Sequence, residues 1–196
     1  ILYCFPLGVA FISYFRGKSK IVFVQWLSMV VLMLGLYLML SSGDQVLNLY
    51  GLFISFLGLL FFIAFIVTAS DLSEQIGATT FNLYVSILGI IFLTVGFILP
   101  LGFEMDLPLT KTGIFAIFAN GLFYISSWVL FFKGASIIGA TRSSMLACIE
   151  PLFAALLAII LLKQILSVTE WIGFFIVLTA IYTFEKNSAK PEASST

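Results

Sequence analysis

Histidine is absent from this 196-residue sequence, and only 9% of its residues are charged, where an ordinary soluble domain has roughly a quarter. So little charge excludes a water-soluble globule, because the remaining surface would expose apolar area far beyond a tolerable patch. The sequence has no His, no Cys-x-x-Cys and no phosphate-cradling Gly loop. The usual metal and nucleophilic machinery is therefore missing, and we expect no metal, no cofactor and no enzyme. Nine Lys plus Arg balance nine Asp plus Glu, and the longest basic run, Arg16-Gly17-Lys18-Ser19-Lys20, is too small for a nucleic-acid surface. Cys4 and Cys148 lie in apolar segments, where a small buried thiol is the ordinary case. The chain opens with neither Met nor a signal peptide, so it reads as cut from something longer.

What is present is apolar: 62% of the residues, with a mean hydropathy of +1.20. A bilayer core needs about 20 apolar residues per helix, and such runs fall at 21–40, 48–68, 79–102, 113–132, 143–162 and 168–184, with 1–15 a shorter seventh. Connectors such as Ser41-Ser42-Gly43-Asp44 and Glu104-Met105-Asp106-Leu107-Pro108 are too short for anything but antiparallel neighbours. The alternation of a lipid-facing β-barrel is absent. The expected fold is therefore all-α and integral to the membrane, about seven helices with the lipid bilayer as solvent.

Lys and Arg in short loops resist translocation, so they orient the helices. One set of connectors holds Arg16, Lys18, Lys20, Lys133, Arg142, Lys186 and Lys190, and the other holds Lys111 and Lys163. This puts the C-terminus in the cytoplasm of a multi-pass protein of the cell (inner) membrane. The polar end of the chain, 185–196, reads as a disordered tail.

A repeat is visible in the rare residues. An ungapped slide of 151 − 6 = 145 positions superposes Pro6 on Pro151, Leu7 on Leu152, Ala10 on Ala155, Lys18 on Lys163, Trp26 on Trp171 and Tyr37 on Tyr182. With five Pro and three Trp in the chain, the Pro and Trp pairs favour duplication over chance. The two Trp residues fall at opposite membrane faces, which makes the repeat inverted with five helices per copy. Residues 1–40 then end a first copy and 41–184 form the second. If the second begins near Asn48, the first begins at 48 − 145 = −97, so three helices are expected before Ile1.

Among the apolar runs one ionisable group lies far from either end, Glu150. A carboxylate at a helix centre costs about 2.5–3.5 kcal/mol on insertion scales, so it is a functional candidate by default. Arg142 and Lys163 stand roughly 12 and 20 Å away along a continuous helix, too far for a local pair. An unpaired, desolvated carboxyl favours its protonated form, which a proton-coupled carrier can use. The bland alternative is that Glu150 and Pro151 only shape a kink. Helical spacing divides the run into a small or polar half (Ser143, Ser144, Ala147, Cys148, Glu150, Pro151, Ala154, Ala155, Ala158) and a bulky half (Met145, Ile149, Leu152, Phe153, Leu156, Ile160) expected to face lipid. The small half suits either close helix packing or a cavity wall. Two further stripes, Asn82, Ser86, Gly89 and Gly96, and Asn120, Tyr124 and Ser127, are expected to point inward, as interhelical hydrogen bonds or as cavity lining. Asp71 and Glu74 read as a solvated loop, and Gln25 and Glu170 as markers of helix starts.

The segment from Tyr124 to Tyr182 resembles the EamA family of the drug/metabolite transporter superfamily, through Gly134-Ala135, Gly139-Ala140-Thr141-Arg142, Ile149-Glu150-Pro151-Leu152-Phe153-Ala154-Ala155 and Glu170-Trp171-Ile172-Gly173. Residues 3–40 look like the corresponding end of that family's first repeat. The resemblance implies a five-plus-five inverted-repeat bundle, here without its first three helices, around a central cavity. The cavity would export or exchange amino acids, metabolites or toxic compounds such as drugs. The family's Gly-Glu after the Glu-Pro helix is Lys163-Gln164 here and Lys18-Ser19 in the first copy, and Phe5 stands where Glu150 does. The reading is a secondary transporter of small molecules working by alternating access, with the small-molecule substrate as partner and a homodimer left open. The rivals are a membrane assembly or regulatory subunit that transports nothing and a membrane-embedded enzyme.

Overall fold

A computed structural model describes residues 1–40, 48–99 and 110–188, and every regular element among them is helical. A 3₁₀ turn, Leu2–Cys4, leads into α1 (Phe5–Phe15). There follow α2 (Phe23–Leu40), α3 (Leu49–Ile76), α4 (Ala78–Ile98), α5 (Lys111–Ile138), α6 (Ala140–Ala147), α7 (Glu150–Leu162) and α8 (Val168–Ser188). Among the described residues six helical stretches are long and apolar enough to cross a membrane, with α6 and α7 together making one, and Leu2–Phe15 is a shorter apolar helix. About seven helices were expected from run length, and the six spans with the shorter Leu2–Phe15 are what the described residues hold. The connectors at 41–44 and 104–108 lie outside the described residues.

Two helices run further than their apolar runs. α3 continues to Ile76 and α5 to Ile138, each stopped by a glycine, Gly77 (φ +85) and Gly139 (φ +87), in a backbone region that side chains oppose. Asp71 and Glu74, expected in a loop, are thus in the last turns of α3. At 1.5 Å per residue its 28 residues span roughly 42 Å, more than the ~30 Å hydrocarbon core, so its polar end projects toward the interface. α8 likewise extends through residues 185–188, expected as the start of the tail. They are held by contacts: Glu185 pairs with Arg142, and Ser188 accepts a 2.7 Å bond from Gln25 Nε2. Residues 189–196 lie outside the described residues.

The chain divides into two compact units, one of Ile1–Thr68 with Ile138–Thr196 and the other of Ala69–Ile137. The first is built on α2 packed antiparallel to α8: Gln25 meets Ser188, Gly35 lies against Ile176 and Val177, and Gly173 against Gly35 and Met39. Small residues let the two backbones approach, the usual basis of helix packing in lipid. α1 packs on α6 and on α3, where Phe5 meets the edge of Phe62 at 5.2 Å and Gly8 lies on Ile63. In the second unit Phe132 is the core ring, edge-on to Phe81 at 5.2 Å and stacked on Trp128 at 5.5 Å.

Within the first unit, the backbone has its own register of 150 − 5 = 168 − 23 = 145, the differences between the starts of α7 and α1 and of α8 and α2. Pro6 and Pro151 both sit in a first turn, where a missing N–H costs nothing. α1 ends with the amides of Lys18 and Ser19 donating to Ser13 O, and α7 with those of Lys163 and Gln164 donating to Ala158 O. α2 is preceded by Val22 N–H donating to Gln25 Oε1, and α8 by Ser167 N–H donating to Glu170 Oε2. The buried residues Ser28, Met29, Leu32, Gly35, Leu36 and Met39 of α2 fall 145 positions before Gly173, Phe174, Val177, Ala180, Ile181 and Phe184 of α8, which are all buried.

Candidate functional site

The run from Ser143 to Leu162 is not one continuous helix with Glu150 in its middle. α6 stops at Ala147, and the amides of Cys148 and Ile149 fall back to Met145 O and Leu146 O at 3.2 and 3.0 Å in a tighter turn. α7 then opens on Glu150 and Pro151. The cause is local: Pro151 has no N–H, so the Ala147 carbonyl loses its i+4 donor, and the ring disfavours helical backbone before it. A first turn is also where the unsatisfied amides of a helix favour a carboxylate. Glu150 is exposed on this unit, with Tyr3 and Cys148 in electrostatic reach.

The break shifts the phase between the two segments, and this corrects the expected faces. Met145 and Leu152, placed on the lipid side, are buried, whereas Phe153, Leu156 and Ile160 are exposed as expected. On the small half Ser143, Ser144, Cys148 and Pro151 are buried, Ala155 and Ala158 half-buried, and Glu150 and Ala154 exposed. Ser144 Oγ donates to Thr141 O at 2.9 Å, and Cys148 Sγ to Ser144 O at 3.8 Å. Ser143 Oγ is buried with no partner among the described residues. Both cysteines are free thiols.

The other candidates belong to the second unit. Asn82 is buried and its Nδ2 donates to Ala78 O at 2.9 Å, one turn back; Ser86 beside it is half-buried. Asn120, Tyr124 and Ser127 are exposed on α5 within this unit. Ser127 Oγ donates to Tyr124 O at 2.8 Å, a bond within its own helix.

Two features escaped the sequence reading. One is the ion pair of Arg142 with Glu185, two-pronged at 3.3 Å (Nε to Oε1) and 2.5 Å (Nη2 to Oε2), joining the first turn of α6 to the last turn of α8. The partners are 43 positions apart, and only the placement of one at the start of a run and the other just past the end of a run hinted at a shared face. The other is the crossing of Gly35 and Gly173, for which Gly at buried steps of two paired helices was the available signal.

Comparison with known proteins points one way. The model described as the EamA-like transporter family matches residues 49–184. Over 61 residues the chain is 34% identical to a protein of Salmonella typhimurium (strain LT2) named "Uncharacterized inner membrane transporter YicL", a stretch that is 31% of this chain and 20% of that protein. The chain thus spans about a fifth of the length of that curated relative. No solved structure matches.

Proposed function

Since the chain belongs to the EamA-like transporter family, we propose that it is part of a secondary transporter that moves small molecules through a multi-pass membrane protein by alternating access. The single observation that carries this is the interrupted span: a helix broken at Cys148–Ile149 that restarts on a carboxylate, Glu150, and Pro151. Broken helices within a span line substrate and ion sites in secondary transporters, because irregular backbone in lipid needs a polar cavity or protein to satisfy it. The face of α7 carrying Glu150, Ala154, Ala155 and Ala158 forms a wall of the substrate path, with Ser143 and Ser144 at its α6 end. Asn82, Ser86, Asn120, Tyr124 and Ser127 are further lining candidates.

The 145-residue register supports an inverted repeat, with 1–40 ending one copy and 41–184 forming the other. The two matched helices α2 and α8 run antiparallel, as a two-fold axis in the membrane plane requires. The charge asymmetry of the connectors favours a cytoplasmic C-terminus, and the name of the Salmonella relative favours the inner membrane.

Proton coupling through Glu150 is tested on the intact protein by comparing substrate flux of wild type and Glu150→Gln in vesicles across a range of external pH. The expected outcome is a large loss of flux and a flattened pH dependence. Flux that keeps both its size and its pH dependence removes Glu150 from the coupling path and leaves the kink reading.

A further inference from the structure

The turn between α1 and α2 carries charge that its counterpart between α7 and α8 lacks. Arg16 N–H donates to Ile12 O, Gly17 N–H to Tyr14 O with Gly17 at φ +68, and the amides of Lys18 and Ser19 both donate to Ser13 O. Ser19 is tied in turn to Thr141, at the head of α6, by a 3.5 Å contact between hydroxyls. Arg16, Lys18 and Lys20 stand along this ordered turn, and all three are exposed. The start of α6 and the end of α8 lie at the same end of the first unit, where Gln25 meets Ser188 and Arg142 meets Glu185. Among the described residues of that unit, this end has five cations, Arg16, Lys18, Lys20, Arg142 and Lys186, and one carboxylate, Glu185, which Arg142 holds.

A strip of rings adjoins these charges. Phe11 and Phe15 lie 4.6 Å apart, Phe15 meets the edge of Tyr14 at 5.8 Å, and Tyr14 meets the edge of Trp26, in the first turn of α2, at 6.4 Å. Phe11, Tyr14 and Phe15 are exposed and Trp26 is half-buried. Tyr and Trp in such a place mark the level where headgroups give way to acyl chains. The 145-residue register takes Trp26 to Trp171, which has its own rings in Phe174 and Phe175 at 5.6 and 6.0 Å. The same register takes Arg16, Lys18 and Lys20 to Leu161, Lys163 and Ile165, and Ile165 is 91% exposed. Because α2 and α8 are antiparallel, the two turns lie at opposite ends of the pair. Both ends thus have aromatic anchors on the same backbone turn, and only one of the two turns is basic.

We propose that the α1–α2 turn is a seat for an anionic phospholipid, with Arg16, Lys18 and Lys20 drawing the headgroup phosphate and the strip from Phe11 to Trp26 carrying the acyl chains. The chemistry of the two halves fits that ligand: a guanidinium matches the geometry of a phosphate, and exposed rings beside it match hydrocarbon. Basic side chains at a membrane surface each favour anionic over neutral lipid several-fold, within a Debye length. Arg16, Lys18 and Lys20 also interact within the protein, so the headgroup joins contacts already made. What selects it is their summed charge and exposure. The seat does not depend on what the protein transports.

The test uses the intact protein in vesicles, in one background where Trp26 is the sole tryptophan and another where Trp171 is. Fluorescence quenching by phosphatidylglycerol brominated near the top of its acyl chains is compared with quenching by phosphatidylcholine brominated at the same place. Trp26 is expected to report about a three- to tenfold preference for the anionic lipid, and Trp171 a ratio within about twofold of one. Changing Arg16, Lys18 and Lys20 together to Gln should bring Trp26 to the Trp171 ratio. If that triple variant fails to reach the membrane, Arg16→Gln, Lys18→Gln and Lys20→Gln singly should each lower the preference about twofold. No preference at Trp26, an equal preference at both tryptophans, or a preference that survives the neutral variants would overturn the seat. Loss of the preference to inorganic phosphate, but not to chloride of equal ionic strength, would overturn it too, by assigning the turn to a soluble anion.

Discussion

The crossing of α2 and α8 gives a sharp energetic prediction through Gly173→Ala. A Cβ at Gly173 would stand 2.6 Å from Gly35 O, 2.7 Å from Met39 N and 3.0 Å from Met39 Cβ, whereas ordinary contact begins at 3.4 Å. Two of those three atoms are backbone, so no rotamer change relieves the overlap, and the helices must separate by about 3.4 − 2.6 = 0.8 Å. A gap of that size forfeits a quarter to a half of each ~0.1–0.2 kcal/mol atom contact; over on the order of fifty contacts this is about 3 kcal/mol. Alanine returns up to about 1 kcal/mol through its better helix propensity, leaving a net loss of about 2 kcal/mol. The control is Gly89→Ala in α4, where an added Cβ meets nothing within 4 Å and the propensity gain should appear alone, up to about 1 kcal/mol of added stability. Thermal unfolding of the purified intact protein in one detergent compares the two. Gly173→Ala melting at or above Gly89→Ala would refute the close crossing.

Two further changes test local backbone logic. Gly139→Ala, at φ +87 and ψ 153 between α5 and α6, should cost about 1–3 kcal/mol because an L side chain is opposed there even though no neighbour lies within reach, and the same melting measurement checks it. Ser167→Ala removes the hydroxyl that accepts Glu170 N–H and should cost about 1 kcal/mol; faster amide exchange over the first turn of α8, with the rest of the helix unchanged, is the expected readout.

Helix number and type were legible because a lipid-spanning helix leaves a long apolar run. Helix ends were less so, because hydropathy marks where lipid stops and not where hydrogen bonding stops. α3 and α5 continue through polar or mixed turns until Gly77 and Gly139, whose positive φ no composition count anticipates. The position of Glu150 was legible and its setting was not, since proline within an apolar run reads as a kink, and the restart of the helix at Glu150 depends on turns tightening at Cys148 and Ile149. The hydrogen bonds of the α5 stripe were not legible either, since a serine in lipid need not look for a neighbour; Ser126 and Ser127 each donate to a carbonyl of their own helix. The Arg142–Glu185 pair is a tertiary contact, which a single sequence does not reveal.

The matched register also separates frame from function. Where the two halves agree, as in Pro6 and Pro151, Trp26 and Trp171, or the buried faces of α2 and α8, the residues set helix starts and packing, and either half could use them equally. Where they differ in charge, one half has been given something the other lacks. Phe5 is buried against Phe62 while its counterpart Glu150 is exposed. The same face of α1 is covered by α3 and α6, while on α7 Ala154 is exposed within this unit beside the carboxylate. A buried phenyl and an exposed carboxylate at one register position cannot serve one packing role, because the cost of burying the second charge without a partner is several kcal/mol, about the scale of a whole packing defect. Exchanging them should therefore damage two different properties. Glu150→Phe should preserve assembly and abolish the proposed transport, whereas Phe5→Glu should compromise the fold itself.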